Sequence, residues 1–392
     1  MRTKLVKDPV HGYIELGEDE LRVVDTPAFQ RLRRIIQLPF VYLVYPGARH
    51  TRFDHSLGCM HLAGEFAWRL GLDEHRRKVL RLAALLHDVG HTPYSHLLES
   101  LLLERGMTHE DVSARILRED PKLAEAIEGC GVRVGEVVEV LEGRTPESKA
   151  ISGPTDVDKL DFLLRDSYFT GASYGMVDVK RILWRSRLSS EGVLLSIRAV
   201  GAVEEMALAR YQSFMNIYFH HAVRAAQSLF LRGVRRLGID FTSMSVEEYL
   251  GHDDYTIWCL MKQHEEVREV IKRIEERRLP KLAYELRFEG EMPRELREGR
   301  SLEQLEEEIA EDAGVPREHV WIDTPYIPPL PYRGDEQIKF YEEGPGGEIK
   351  LVEYSSPLLT FTSRIYGIVR VYTEREYLER VRGKAEKVLS NL

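Results

Sequence analysis

The sequence predicts a mainly α-helical protein with a short β-hairpin near its start and a smaller α+β region towards its end. Three observations favour this architecture. Apolar residues recur at helical spacing from Leu21 to about Arg235, and β-prone runs flank a Pro-Val-His-Gly turn in residues 4–16. After about residue 240, β-like runs alternate with helix caps. We therefore predict two domains, residues 1–235 and residues 236–392.

The predicted helical body consists of several amphipathic segments. Asp25-Thr26-Pro27 marks a helix start, because a capping residue precedes proline near the first turn. The segment 76–88 is apolar nearly all round, which predicts a helix at the centre of the core. Further helices are predicted over residues 29–37, 55–71 and 155–170, and either one long helix or a pair of helices over 203–235.

The C-terminal region combines predicted caps with short predicted strands. In a capping box, a hydroxyl side chain and an acidic or amide side chain three residues later cap a helix. Such boxes are predicted at Ser245…Glu248, Ser301…Gln304 and Thr373…Glu376. Gly314 is predicted to end the helix over 301–313. The predicted strands cover residues 320–323, 338–341, 349–354 and 366–372, and the Pro-rich segment 325–332 is predicted to be an extended connector.

The amino-acid composition and net charge disfavour several classes of protein function. The 392 residues are 43% apolar with a net charge of -9, which is typical of a globular protein and disfavours non-specific nucleic-acid binding. Cys59, Cys130 and Cys259 form no C-x-x-C motif, so neither a disulfide scaffold nor a thiolate zinc site is predicted, and a cytoplasmic location fits. We predict no signal peptide, since the start MRTKLVKDPVHGYIEL has no apolar h-region. We predict no membrane span, since no stretch approaches about 18 uninterrupted apolar residues.

Histidines are concentrated early in the chain, with nine of fourteen in the first 109 residues. Five of them lie beside acids in RFDHSLG (52–58), LLHDVGHTPYSH (85–96) and MTHEDV (107–112), while TDVDKLDFLLRDS (155–167) adds carboxylates and cations. His87-Asp88 ends an otherwise apolar helix. Burying both groups there is costly unless they are paired or bind a metal.

Two imidazoles and two carboxylates predict a divalent metal site, with ligands His55, His87, Asp88 and Asp158. Such a set suits Mn, Fe, Co, Ni or Zn, and carboxylates alone suit Mg. Four ligands leave positions open for water and substrate, as catalytic sites require.

The helix over 155–167 adds charge to this prediction. Asp158, Phe162, Arg165 and Asp166 fall at i, i+4, i+7 and i+8, roughly on one face. Lys159, Arg165 and Arg52 could place positive charge beside the metal, as a leaving phosphate needs. Alternatively, Lys159, Arg165 and Asp166 form surface ion pairs. His61 and His75 are predicted to be hydrogen-bonded core residues, and His11 to have a role in a turn.

Five segments resemble those of HD-domain phosphohydrolases, and more closely those of the deoxynucleotide triphosphohydrolases. These segments are KDPVHGYIEL (7–16), DTPAFQRLRRIIQL (25–38), YPGARHTRFDHSLG (45–58), HDVGHTPYSH (87–96) and DVDKLDFLLRD (156–166). The group includes bacterial dGTPase-like enzymes and the vertebrate SAM-and-HD-domain enzyme. The resemblance covers residues 1–170 and continues loosely to 235. It implies an HD-domain helical core, a homo-oligomer, and water attack at the α-phosphorus that releases nucleoside and triphosphate.

The resemblance also implies residue roles, beginning with metal ligation by the four residues named above. The implied catalytic residues are Arg52 on the triphosphate and, around the reacting phosphate, His91, His96 and His109, with His109 as proton donor. The implied substrate contacts are Gln37 and Leu38 at the sugar and base edge, Lys159 at the triphosphate, Phe162 near the sugar and Asp166 at the 3′-hydroxyl. Phe162 stands where these enzymes often carry a tyrosine, which leaves selection between ribose and deoxyribose open.

A second nucleotide site is also implied. Lys4, Asp25, Gln30 and Arg33 match positions at which regulated relatives bind a guanine nucleotide between subunits. The alternative is that Asp25 only caps a helix and Arg33 is only a surface charge. Two other functions stay open: an HD-type nucleotide phosphatase or phosphodiesterase, and a nucleotide-sensing binding protein without catalysis.

Overall fold

The computed structural model describes residues 3–190, 192–290, 301–328, 330 and 337–389, and is mainly α-helical with small sheets, as predicted. The α-helices are α1 Glu18–Val24, α2 Pro27–Gln30, α3 Arg52–Arg69, α4 Glu74–Leu86, α5 His96–Leu103, α6 His109–Glu119, α7 Pro121–Glu128, α8 Val134–Leu141, α9 Lys149–Ser152, α10 Val157–Thr170, α11 Val179–Trp184, α12 Val200–Ser213, α13 His221–Arg236, α14 Val246–Leu250, α15 Asp254–Gln263, α16 Arg268–Glu275, α17 Leu302–Ala313, α18 Pro357–Thr362 and α19 Leu378–Leu389. The strands are β1 Lys4–Asp8, β2 Gly12–Leu16, β3 Ser186–Ser189, β4 Gly192–Ser196, β5 Lys281–Glu289, β6 Val320–Asp323, β7 Tyr326–Ile327, β8 Lys339–Glu343, β9 Ile349–Val352 and β10 Tyr366–Thr373.

The chain forms two compact units. The first contains residues 1–213, 240–257 and 331–359, and the second contains residues 214–239, 258–330 and 360–392. The predicted boundary at residue 235 stays a prediction. No helix among the described residues is long and apolar enough to cross a lipid bilayer.

Three helices form the centre of the first unit. Helix α3 packs against both α4 and α10. The side chains of Leu82 to Leu86 are fully buried, so the predicted central position of this helix is confirmed. The C-terminal end of α4 and the N-terminal parts of α3 and α10 carry the polar residues described below.

The N-terminal hairpin lies where it was predicted. Strands β1 and β2 are antiparallel, with Lys4 opposite Leu16 and Asp8 opposite Gly12. Gly12 adopts a φ of 80°, which the tight turn requires and which glycine adopts without steric cost. The hairpin lies in the first unit together with the helical centre.

The segment after this hairpin differs from its prediction. Thr26, rather than Asp25, is the N-cap, and its hydroxyl accepts a hydrogen bond from Phe29 N. Helix α2 ends at Gln30 and a 3₁₀ turn continues only to Arg34, so the predicted helix over 29–37 is too long.

The first unit also holds a four-stranded sheet in the order β3-β4-β8-β9, with β4 and β8 parallel. Strands β3 and β4 were not predicted. The Ser245 capping box before α14 is confirmed, since the hydroxyl accepts a hydrogen bond from Glu248 N.

The second unit is an α+β structure around strand β10. The sheet has the order β5-β10-β6, and β7 also pairs with β10. Helices α17 and α19 contribute Leu305, Ile309 and Val381 to a core shared with strand residues such as Val369. The Ser301 box and the Gly314 stop are confirmed, the latter with a φ of 63°.

The third predicted capping box, Thr373…Glu376, is wrong. Thr373 is the last residue of β10, and Glu374 is instead the N-cap of a 3₁₀ turn. Within the predicted Pro-rich connector, Tyr326 and Ile327 form β7, while residues 329, 331 and 332 lie outside the described residues.

Candidate active site

The four predicted metal ligands meet in the first unit, and we call this group of four side chains the metal cluster. His55 lies in the first turn of α3, His87 and Asp88 follow α4, and Asp158 opens α10. His55 Nε2 lies 3.0 Å from Asp158 Oδ1 and 3.7 Å from Asp88 Oδ2. His87 Nε2 lies 3.3 Å from Asp88 Oδ1 and 3.9 Å from Asp158 Oδ1. Since the Asp158 side chain is 34% exposed while His55 is fully buried, the cluster opens to solvent on the Asp158 side.

The hydrogen bonds around this cluster fit a bound cation. His87 Nδ1 donates to the carbonyl of Ala84 at 2.8 Å, and His55 Nδ1 donates to Asp161 Oδ2 at 2.8 Å. In the neutral form of each ring, the bond through Nδ1 leaves the Nε2 lone pair for the cluster. His87 Nε2 is buried and makes no hydrogen bond to the described residues. A buried nitrogen facing two carboxylates is the donor arrangement that a divalent metal satisfies.

Cys59 lies beside the cluster but does not match its ligands. Its Sγ is 3.6 Å from both ring nitrogens of His55, so the thiol lies against the ring rather than in line with Nε2. Burial raises the pKa of the Cys59 thiol far above its ordinary value. Because Sγ lies against the ring and not in line with Nε2, Cys59 is best described as packing on His55.

A second histidine cluster adjoins the first. The Glu99 carboxylate accepts hydrogen bonds from His96 Nδ1 at 2.6 Å and from His109 Nδ1 at 2.5 Å. The rings of His91 and His109 stack with centroids 3.9 Å apart. His91 Nε2 lies 3.2 Å and His109 Nε2 3.8 Å from Asp88 Oδ1, so Asp88 belongs to both clusters.

The two stacked histidines have opposite electrostatics. Burial lowers the pKa of His109, but the hydrogen bond and negative charge of Glu99 outweigh it and raise that pKa above the ordinary value. Burial and the positive charge of Arg52 lower the pKa of His91 well below the ordinary value. The pair therefore combines one ring whose cationic form is favoured with one whose neutral form is favoured.

Two predicted cations have well-defined partners. Arg52 is buried, and its Nη1 donates to Asp88 Oδ2 at 2.8 Å while its Nε donates to Ser95 Oγ at 2.9 Å. Lys159 Nζ donates to Asp156 Oδ2 at 2.7 Å and to the Gly153 carbonyl at 3.1 Å. Arg52 thus contacts a metal-cluster residue directly, whereas Lys159 is bound to the N-cap of its own helix.

The predicted substrate residues differ in burial and in hydrogen bonding. Gln37 is buried, and its Oε1 has no hydrogen-bond partner among the described residues. Leu38 and Phe162 are half-buried. Asp166 is buried and accepts a hydrogen bond from His50 Nε2 at 2.8 Å.

Other predictions for α10 and for the lone histidines need correction. Arg165 is neither a surface residue nor a cation of the cluster, because it is buried and pairs with Asp161 and Asp8. His75 is not in the core: its side chain is 50% exposed and bonded to Glu136.

The residues of the predicted activator site lie on β1, at the end of α1, on α2 and on the 3₁₀ turn that follows α2. Lys4 is exposed on β1, and Asp25 is exposed at the end of α1. Gln30 Oε1 accepts a hydrogen bond from Arg33 Nε at 2.9 Å, and the Arg33 guanidinium lies 3.4 Å from the Phe53 ring centre. The Asp25 side chain does not supply the helix cap, since Thr26 does.

Sequence reasoning missed Glu99 and Asp254. Glu99 follows His96 by three residues on one helix, a spacing that brings both to the same face and was visible in the sequence. Asp254 is remote in sequence, yet its carboxylate accepts hydrogen bonds from Tyr94 N at 2.6 Å and Ile36 N at 2.9 Å. Tyr94 and Ser95 both adopt positive φ, 57° and 52°, so Asp254 anchors a strained turn between His91 and His96.

Two family models match the chain. An HD-domain model matches residues 52–148, which include both histidine clusters except Asp158. An HD-associated-region model matches residues 177–391, more than half of the chain. The protein belongs to the HD-domain phosphohydrolase family with an HD-associated region.

Named and unnamed relatives support this membership. The chain is 36% identical over 283 residues to an uncharacterised protein of Methanocaldococcus jannaschii, covering 71% of this chain and 59% of the relative. It is 31% identical over 298 residues to the deoxynucleoside triphosphate triphosphohydrolase SAMHD1 of Homo sapiens, covering 64% of this chain and 45% of that protein. The chain therefore spans about half the length of these relatives. The crystal structure of a hypothetical protein from Aquifex aeolicus superposes with a TM-score of 0.79 at 28% identity, covering 98% of this chain and all of that one.

Proposed function

We propose that this protein is a metal-dependent triphosphohydrolase of deoxynucleoside or nucleoside triphosphates, releasing nucleoside and tripolyphosphate. The observation that carries this proposal is the shared carboxylate Asp88, which joins a metal-type cluster to a proton-transfer cluster within 3.8 Å. The similarity to a relative named as a deoxynucleoside triphosphate triphosphohydrolase supports the choice of substrate.

The metal would be held by His55, His87, Asp88 and Asp158. It would polarise a phosphoryl oxygen and lower the pKa of a water, which is the chemistry that hydrolysis at phosphorus requires at neutral pH. The donor set of two imidazoles and two carboxylates is compatible with several divalent ions.

The chain's own groups would position the substrate and move a proton. Arg52 is fixed by Asp88 and Ser95, so a triphosphate can approach its guanidinium without further ordering of that side chain. His109, held by Glu99 through Nδ1, would donate the proton on Nε2 to the leaving ester oxygen. His91 and His96 would line the same phosphate, and Lys159 would contact the triphosphate.

The sugar and base side is assigned to the remaining predicted residues. The buried Gln37 Oε1 has no hydrogen-bond partner among the described residues, which supports a role as acceptor for a substrate donor. Leu38 and Phe162 would contact the sugar and base, and Asp166, with His50, would bind the 3′-hydroxyl.

The test is a product assay on the metal-loaded full chain. Each dNTP and NTP is supplied singly and in mixtures with Mg²⁺, Mn²⁺ or Co²⁺, and products are separated by ion exchange. Nucleoside plus tripolyphosphate supports the proposal. Orthophosphate or a nucleoside diphosphate would indicate an ordinary nucleotide phosphatase instead.

Nucleotide-driven assembly of a homo-oligomer is part of the same proposal. A guanine nucleotide would contact Lys4, Asp25, Gln30 and Arg33. Light scattering with and without GTP or dGTP tests it: an increase in mass that Arg33→Ala abolishes is expected, and an unchanged mass contradicts it.

A further inference from the structure

A buried carboxylate lies directly behind the metal cluster. Asp161 on α10 is fully buried, and both of its oxygens are engaged. Oδ2 accepts from His55 Nδ1 at 2.8 Å and from Arg165 Nε at 2.8 Å. Oδ1 accepts from His11 Nε2 at 2.6 Å and from Arg165 Nη2 at 2.9 Å. Four donors from three parts of the first unit therefore hold this carboxylate in one orientation.

The same network includes the turn of the N-terminal hairpin. Arg165 Nη1 donates to Asp8 Oδ2 at 2.8 Å. Asp8 Oδ1 in turn accepts from the backbone nitrogens of Val10 at 2.9 Å and His11 at 2.8 Å. The KDPVHG segment thus forms a turn that bonds to Asp161 directly through His11. Its Asp8 bonds to Arg165, which in turn bonds to Asp161.

A glycine on α3 makes room for this network. A Cβ atom at Gly58 would lie 1.8 Å from Asp161 Oδ1 and 2.5 Å from Arg165 Nη2. Any side chain at this position would therefore push the carboxylate away from His55. Gly58 is one helical turn after His55, and its lack of a side chain allows the approach.

We propose that Asp161 is the positioning residue of the metal cluster and that the hairpin turn Asp8–His11 braces it. This inference rests on the proposed metal ligation by His55. A carboxylate that accepts the Nδ1 proton fixes the ring orientation and leaves the lone pair on Nε2 for the metal. Asp161 acts through His55, so the hairpin becomes a structural part of the site.

Metal affinity is the first measurement. The metal-stripped full chain is titrated with Mn²⁺ and free Mn²⁺ is followed by electron paramagnetic resonance. Because partners of this kind typically contribute 10–100-fold to metal affinity, Asp161→Ala is expected to raise the Mn²⁺ Kd by about that factor. His11→Ala removes one of the four donors but leaves the Asp161–Arg165 ion pair intact. It is expected to raise the Mn²⁺ Kd by a factor several times smaller than Asp161→Ala does.

The second measurement reads the tautomer of His55 in the metal-free protein. Long-range ¹⁵N–¹H spectra of ¹⁵N-histidine-labelled protein distinguish Nδ1–H from Nε2–H, and a His55→Gln spectrum assigns the signal. At a pH where His55 is neutral, the wild type is expected to show Nδ1–H alone. In Asp161→Asn, the amide group can donate to Nδ1, so a population with the proton on Nε2 is expected.

Matched controls separate positioning from general destabilisation. Glu147→Ala removes a carboxylate that binds Arg76 Nε and Nη2 at 3.0 and 2.8 Å, a similar bidentate pair elsewhere in the first unit, and should leave Mn²⁺ affinity unchanged. Gly58→Ala keeps every charge of the network and should weaken Mn²⁺ binding, whereas Gly135→Ala, with no atom within 4 Å of the added Cβ, should not. If Asp161→Ala fails to fold, Gly58→Ala and His11→Ala carry the test.

The possible failures are distinguishable. Folded Asp161→Ala and Gly58→Ala proteins that bind Mn²⁺ with wild-type affinity would overturn the inference. Wild-type Mn²⁺ affinity in His87→Ala would instead contradict the metal assignment. In that case an Nδ1–H His55 in the wild type that is lost in Asp161→Asn would still support the positioning role.

Discussion

The two histidine clusters share Asp88 but differ in what holds their imidazoles. In the metal cluster, His87 donates through Nδ1 to a backbone carbonyl and His55 donates to Asp161. In the second cluster, His96 and His109 donate through Nδ1 to one carboxylate, Glu99. The Nε2 atoms of His55, His87 and His109 lie 3.7, 3.3 and 3.8 Å from the Asp88 carboxylate. Glu99 also favours the cationic form of His109, and a cationic imidazole cannot bind a metal.

We infer from this comparison that the group bonded to Nδ1 of each histidine sets its chemistry. Residue type alone does not separate a ligand from a proton donor, because all these side chains are imidazoles within a few ångströms.

The largest effect is expected from His87→Ala. Removing a ligand with a buried, unsatisfied Nε2 should abolish stoichiometric metal binding and lower kcat/KM by roughly 10³-fold or more, since the metal supplies several kcal/mol of transition-state stabilisation. Elemental analysis and the product assay measure both. His75→Ala, at an exposed histidine, is the control, and full metal occupancy in His87→Ala would contradict the assignment.

Glu99→Gln should affect catalysis without affecting the metal. A neutral amide cannot accept from both Nδ1–H groups and no longer stabilises a cationic His109, so kcat should fall by about 10²-fold. Because Glu99 holds His96 and His109 rather than a proposed metal ligand, the Mn²⁺ affinity should stay within about twofold of wild type. Glu119→Gln, at an exposed glutamate paired with Arg115, should change neither quantity. Equal losses of metal and kcat would show that the clusters are not separate.

Asp254→Asn should have a moderate effect on the turn that carries the second cluster. The amide supplies only one acceptor for Tyr94 N and Ile36 N, so one backbone N–H loses its partner, at a cost of roughly 1–3 kcal/mol in unfolding free energy. The misplaced turn should lower kcat about tenfold and leave Mn²⁺ affinity unchanged. Urea denaturation and steady-state kinetics measure the two effects.

The same variant makes a pH prediction. Burial raises the pKa of Asp254 to about 7 in the folded protein, against about 3.9 in an unfolded chain. Between these values the folded state retains a proton that the unfolded state has lost, so this group's contribution to stability decreases as pH rises from about 4 to about 7. The wild type should lose about 1 kcal/mol more per pH unit than Asp254→Asn over this window. Parallel pH profiles would contradict the assignment.

The smallest effect is expected from Tyr249→Phe. The Tyr249 hydroxyl donates to the carbonyl of Gly90, which lies between His87 and His91, at 2.6 Å in a buried setting. Its loss should cost about 1 kcal/mol in unfolding free energy with little change in kcat. A large loss of activity would show that this bond positions the clusters, which the comparison assigns to Nδ1 partners.

Sequence patterns predicted what is local. The ligands His87 and Asp88 follow from polar residues at the end of an apolar helix, and the Ser301 and Gly314 boundaries follow from capping chemistry. Strand β5 was missed although Leu282, Tyr284, Leu286 and Phe288 alternate with other residues, so its signal was present.

The remaining site residues depend on long-range contacts. Asp254 and Tyr94 are 160 residues apart, and His11 and Asp161 are 150 residues apart. No local periodicity connects such pairs, and the structure is needed to show that α10 turns Asp158 towards the metal cluster and Asp161 towards the hairpin. Arg165 illustrates the limit: helical spacing placed it beside the metal, and its contacts place it behind a ligand.

The most direct test of the central claim is the identity of the products formed from a single dNTP by the Mn²⁺-loaded protein. The account predicts deoxynucleoside and tripolyphosphate in equal amounts, with formation of both lost in His87→Ala and strongly reduced in Glu99→Gln. Release of orthophosphate, or turnover that persists in His87→Ala, would contradict it.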